Sequence, residues 1–255
     1  MTVPLNFSSS GDSSNPPVIV LHGLFGSSSN WRSVAGQLSS RFQVFCVDIR
    51  NHGRSGWSDS MGYLDMARDL AAFIAENRID RPRLIGHSMG GKAVMAYLQH
   101  HGGPVGRSAI IDIAPVAYSH DHDHLINALN GLDLGRIASR DEADRALSVK
   151  IPEPPLRQFL LQNLVRRSDG FAWRINLDAI SGSRAELFGY PEGRPSNAEL
   201  LFIRGGKSDY IQPQHFDEIA RQFPHSSIRS IEDAGHWVHA EKPRELVEML
   251  LGFLD

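Results

Sequence analysis

Leu84-Ile85-Gly86-His87-Ser88-Met89-Gly90-Gly91 is the stretch on which the reading of this 255-residue chain turns. A short apolar strand runs into Gly86, breaks, carries Ser88 round a sharp turn and enters a helix dense in Ala93, Val94, Met95 and Leu98. Glycine on both sides of the serine suits a turn too tight for Cβ atoms to clear the neighbouring strand and helix. A serine held there exposes its hydroxyl above the sheet edge, where the free N–H groups of a helix start favour developing negative charge. G-x-S-x-G also arises as an ordinary Gly/Ser loop; its place between a strand and a helix is what points to a nucleophile.

Outward from that turn the chain alternates strand and helix. Val3–Phe7 reads as a short edge strand, with the Ser-, Gly- and Pro-rich 8–17 as the turn after it. Val18–Leu21 is a continuous aliphatic run that ends in His22-Gly23-Leu24-Phe25-Gly26, and Ser27–Asn30 caps a helix over 31–38. Phe42–Val47 is the next strand, closed by Asp48-Ile49-Arg50-Asn51-His52-Gly53-Arg54-Ser55. Tyr63, Met66, Ala67, Leu70, Phe73 and Ile74 then recur at helical spacing, and Ser108–Ile113 is a further buried strand. This order predicts an α/β fold, a mostly parallel central sheet with helices on both faces. His22, Asp48, Ser88 and Asp112 all fall at strand ends, the rim where such sheets bind ligands.

Past Pro115 the pattern changes. Helical segments at Leu125–Leu132, Glu142–Val149 and Leu156–Val165, broken by Ile151-Pro152-Glu153-Pro154-Pro155, predict a helical cap over 115–189, inserted in a core of 1–114 and 190–255. Strand–helix order then resumes with Leu200–Ile203, a helix over 214–223, Ile228–Ile231 and a terminal helix carrying Leu246, Met249, Leu250 and Phe253.

The bulk composition narrows the partners. Lys and Arg total 26 against 29 Asp and Glu, a net charge of −3, which gives no electrostatic case for nucleic acid or an anionic membrane. Cys46 is the single cysteine, so no internal disulfide forms and a reducing, cytoplasmic setting is the expectation. Met1–Phe7 has neither a basic nor an apolar signal-peptide region, and no apolar run approaches the ~18 residues a membrane span needs. The run His120-Asp121-His122-Asp123-His124 resembles a ligand cluster, but without further ligands at fixed spacing it is expected to be a solvated helix start, with no metal.

A serine hydroxyl needs a base, and the base needs a third group to orient it. His236 follows a glycine turn after the final strand, whereas His239 lies at the start of the terminal helix, so His236 is the expected base. Two aspartates end strands expected to lie near the serine strand: Asp112 in Ile111-Asp112-Ile113-Ala114-Pro115, and Asp209 in Gly205-Gly206-Lys207-Ser208-Asp209-Tyr210. Either carboxylate could accept the imidazole N–H. The other would be a turn-forming aspartate capping local N–H groups.

Four segments together resemble the α/β-hydrolase superfamily over nearly the whole chain: His22-Gly23-Leu24-Phe25-Gly26, Asp48-x-Arg50-Asn51-His52-Gly53-x-Ser55, Gly86-His87-Ser88-Met89-Gly90-Gly91 and Ala234-Gly235-His236-Trp237-Val238-His239. Within it the chain is most similar to the YbfF-type bacterial esterases and their mitochondrial relatives. The resemblance implies the α/β-hydrolase fold and a serine esterase or thioesterase, with a small acyl ester or thioester as substrate and no cofactor. It favours Asp209, where most of the superfamily carries its acid, while the YbfF-type branch can use the earlier position, here Asp112. Oxyanion donors are expected at the N–H of Met89 and of Leu24, with Phe25 as the neighbouring alternative. The Arg50-Asn51-His52-Gly53 turn is expected to brace the site. Phe25, Trp237, Tyr210 and cap residues such as Phe159 and Leu160 are candidates for an apolar acyl pocket. Carbon–carbon bond hydrolases, perhydrolases and low-turnover small-molecule receptors share these features, and a monomer or small homo-oligomer is expected.

Overall fold

The aliphatic runs read as strands are buried almost throughout, and in the computed structural model, which describes residues 1–119, 123–168 and 170–255, they form the centre of the molecule. In chain order the strands are β1 (Phe7–Ser10), β2 (Pro17–Leu21), β3 (Gln43–Val47), β4 (Arg83–His87), β5 (Ser108–Ile111), β6 (Leu164–Arg167), β7 (Gly170–Trp173), β8 (Leu200–Gly205) and β9 (Ser226–Ile231). The helices are α1 (Arg32–Leu38), α2 (Tyr63–Glu76), α3 (Met89–His100), α4 (Asp123–Asn130), α5 (Arg140–Ser148), α6 (Pro154–Leu161), α7 (Leu177–Gly182), α8 (Arg184–Phe188), α9 (Phe216–Gln222), α10 (Val238–Glu241) and α11 (Pro243–Leu254).

Among the described residues seven strands form one sheet in the order β1-β3-β2-β4-β5-β8-β9, parallel except for β1, which runs antiparallel to β3. Strand side chains alternate between two cores. Ile19 and Leu21 face the side packed by α2 and α3, while Val18 and Val20 face α1 and α11. The chain goes from β2 out to β3 and returns on the other side of β2 as β4. That reversal opens a crevice at the carboxyl ends of β2 and β4, where Ser88 sits.

The edge strand begins four residues later than its sequence suggests, at Phe7. Pro4 has no N–H to donate, its carbonyl accepts from Gly56, and the Val3 N–H goes to Asp69, so this stretch is tied to the loops. Pairing with β3 begins instead at Phe7↔Val47 and runs to Ser10↔Val44. The same loop is held by Arg50, fully buried, whose guanidinium meets the Asp69 carboxylate through two hydrogen bonds of 2.6 and 3.0 Å. The single cysteine, Cys46, is buried in β3, and burial pushes its thiol up to about 12.

Between β5 and β8 come α4–α8 and the two-stranded β6–β7 sheet. The helix expected to reach Val165 stops at Leu161, because Gln162 and Asn163 close it with tight bonds to Phe159 and Leu160, and Leu164 then pairs with Trp173. Of the expected helix start at 120–124, residues 120–122 lie outside the described residues; Asp123 opens α4 and pairs with Arg184 at 2.7 Å. No helix among the described residues is long and apolar enough to cross a membrane.

Candidate active site

β4 delivers Ser88 in a backbone conformation that side chains rarely adopt, with φ 53° and ψ −120°. The turn closes so tightly that a Cβ on Gly86 would lie 2.4 Å from the Gly90 carbonyl oxygen, and one on Gly90 would lie 2.5 Å from that of Leu21. The serine amide still donates to Ile111 of β5 at 3.0 Å, so the turn is anchored to the sheet.

His236, half-buried in the loop after β9, brings its Nε2 to 3.1 Å from the Ser88 Oγ. Its Nδ1 lies 2.8 Å from an Asp112 carboxylate oxygen. A carboxylate can only accept, so Nδ1 carries the proton and Nε2 is left to receive one from the serine hydroxyl. Asp112 is fully buried at the end of β5, with φ 50°; it also accepts from the Gly205 N–H at 2.9 Å and from the Ser208 hydroxyl. Asp209, favoured on the superfamily's pattern, is exposed and makes no hydrogen bond to His236. Its strand end contributes Ser208 instead. The physical reason is geometric: β5 lies directly beside β4, and β8 lies one strand further out.

The imidazole is held from two more sides. The Tyr210 ring stacks on it with centroids 3.9 Å apart, and His87 donates from Nε2 to the His236 carbonyl at 2.8 Å. Burial pushes His87 well below its ordinary value, which keeps a second cation away from His236. His239 does not reach the serine; it stacks on Trp31 at 4.6 Å, and burial lowers it to about 4.

Leu24 and Met89 line the same chamber as the serine. Met89 is the first residue of α3, so its N–H has no intrahelical acceptor. The Leu24 N–H has no acceptor among the described residues. The Phe25 N–H is already spent on His52 Nε2 at 3.1 Å, and His52 in turn donates from Nδ1 to the Arg50 carbonyl. Burial pushes His52 down to about 3, so it serves the loop as a neutral brace. His22 plays a similar part, accepting from Ile49 and donating to Gly23. Asp48 is pushed up by burial, but N–H groups of Ser28 and Arg54 outweigh that and hold it below the usual carboxylate value.

A cavity of about 160 Å³ opens above the serine, walled by Leu24, Phe25, Trp31, Tyr210, Trp237 and His239 from the sheet rim and by Leu125, Leu156 and Phe159 from α4 and α6. Leu160, grouped with Phe159 in the sequence, is fully buried packing. Ser88 also lines a chamber of about 30 Å³ whose walls include Leu24, Met89, Tyr63, Tyr118 and Lys92. The local sequence assigns no role to Lys92 or His87. A lone lysine in the otherwise apolar start of α3, one turn past the serine, was the available signal for the first.

Comparison with known proteins identifies the family. The profile of the alpha/beta hydrolase fold family matches residues 16–243. The chain is 37% identical to mouse ABHD11, an sn-1-specific diacylglycerol lipase, over 96% of this chain and 82% of that one. It is 36% identical to the esterase YbfF of Escherichia coli over 94% of each. A solved marine microorganism esterase, 37% identical, superposes with a TM-score of 0.96 over 99% of this chain and all of the other. The chain therefore belongs to the alpha/beta hydrolase fold family and is an enzyme, a serine hydrolase whose relatives are esterases and lipases.

Proposed function

We propose that the chain hydrolyses carboxylic esters, thioesters included, through an acyl-enzyme intermediate on Ser88. The observation that carries this reading is the unbroken line from the Ser88 hydroxyl through His236 to the buried Asp112 carboxylate, at 3.1 and 2.8 Å. His236 Nε2 takes the hydroxyl proton as Oγ adds to the acyl carbonyl, and Asp112 stabilises the imidazolium that results. The N–H groups of Leu24 and Met89 receive the oxyanion, each worth about 3–4 kcal/mol of barrier. The imidazolium then returns its proton to the leaving alcohol or thiol. A water, deprotonated by the same nitrogen, releases the acid and restores Ser88. In this reading 115–189 acts as a cap over the core of 1–114 and 190–255, and Phe25, Trp237 and Tyr210 shape the larger substrate cavity. The named activities of the mouse and bacterial relatives support an ester bond as the target.

Turnover of p-nitrophenyl esters of graded chain length, with Ser88→Ala beside the native chain, tests this. Expected are steady turnover by the native chain, covalent labelling by a fluorophosphonate, and loss of both in the variant. Labelling with no turnover on any ester would favour a receptor, and hydrolysis that survives Ser88→Ala would overturn the mechanism.

A further inference from the structure

The acyl-transfer reading leaves one ionisable group beside Ser88 without a task. Lys92 stands one helical turn past the serine on α3 and is 1% exposed. Its ammonium donates to the carbonyls of Gly189 at 2.6 Å and Phe188 at 3.3 Å, and lies 4.8 Å from the Tyr118 ring centroid and 5.5 Å from that of Tyr63. An ammonium has three N–H donors, and two carbonyls occupy two of them. Among the described residues no carboxylate pairs with it, and its environment shows only the penalty of burial. A buried cation without a counter-charge is costly to keep, and an anion brought from outside would relieve it.

The position of this cation gives it a use. Lys92 lines the 30 Å³ chamber that also touches Ser88 and the two oxyanion donors, Leu24 and Met89. That volume suits a group of a few heavy atoms, about one or two waters' worth, and not an extended chain. The hydroxyls of two of its tyrosine walls are already engaged, Tyr63 donating to the Leu187 carbonyl and Tyr118 to that of Tyr210. Lys92 is thus the charged side chain on the chamber wall.

We propose that Lys92 receives a carboxylate at the far end of the acyl group, so that esters or thioesters of short dicarboxylic acids are preferred substrates. The inference rests on Ser88 acting as the nucleophile. With the acyl carbon at Ser88 and the carboxylate one turn away, about 5 Å along α3, acyl groups of about four or five carbons fit best.

The experiment compares kcat/KM for monoethyl succinate and for ethyl pentanoate, in the native chain and in Lys92→Met, between pH 6 and 9. The ratio of the two is expected to fall at least tenfold in Lys92→Met. In the native chain the same ratio is expected to fall as pH rises through about 7, to which burial has lowered Lys92, because the free ammonium then loses its proton. The other titratable walls of the chamber, Tyr63 of α2, Tyr118 after β5 and Tyr210 after β8, are all pushed up by burial and stay neutral over this range. Asp65 of α2 and Glu186 of α8 line a separate outer groove. His236 serves both esters and cancels in the ratio. The native pH profile needs no variant, so a Lys92→Met chain that fails to fold leaves the test intact. A ratio that is flat with pH, or unchanged in Lys92→Met, overturns the inference while turnover of ethyl pentanoate leaves the esterase reading standing. If neither ester is turned over and no fluorophosphonate label appears, both fall.

Discussion

Ser88 and Asp112 share an unusual property: both are non-glycine residues in the left-handed region, at φ 53° and 50°. Each such residue costs of order 1–3 kcal/mol, and each here ends a strand with its side chain turned toward the same imidazole. The choice between the two aspartates is the decisive question at this scale. Asp112→Asn is expected to lower kcat on a neutral ester about 10⁴-fold, since the imidazole loses the acceptor that fixes its tautomer. Asp209→Asn, at an exposed position, is expected to stay within about threefold of the native rate. Steady-state kinetics on the two variants decides it; equal losses would refute the assignment. Ser88 and His236 were legible because each sits in a short run with its own turn glycine. The acid was not, since which carboxylate meets His236 depends on strand order, and strand order is not written in either local motif.

At the scale of elements, glycine carries opposite meanings in different places. Gly86→Ala would drive a methyl to 2.4 Å from the Gly90 carbonyl and is expected to destabilise the fold by about 1–3 kcal/mol or more. Gly252 lies within α11 with open space where a Cβ would go, so Gly252→Ala is expected to stabilise by about 0.5–1 kcal/mol. Urea denaturation of the two variants should give shifts of opposite sign, and a shared sign would count against the tight turn. The core strands and α2 were readable because each buries an unbroken or strictly periodic set of apolar residues. The β6–β7 pair is illegible in the sequence for a physical reason. Its strands are four residues each, too short for alternation to declare itself, and Arg166 and Arg167 look equally at home on a helix.

Across the whole molecule, burial has made a set of histidines neutral. His52 is lowered to about 3 and His239 to about 4, with His22 and His87 also lowered. In the unfolded chain each would titrate near 6.5, so below that pH the unfolded state takes up protons that the folded state refuses. Stability is therefore expected to be full above about pH 6.5 and to fall as the pH drops toward 4. The loss between pH 6.5 and 5 is about 2 kcal/mol for each of His52 and His239. Urea midpoints measured across that interval check it, and a flat profile would contradict neutral burial.

The state of Cys46 has a practical consequence. With its thiol sealed inside the sheet and its ionisation pushed up to about 12, the native protein should be silent to maleimides and similar reagents. A cysteine placed by design on α4 or α6 would then be the sole attachment point for a fluorophore or spin label. The environment and mobility of those helices could be followed during turnover without first deleting a native residue.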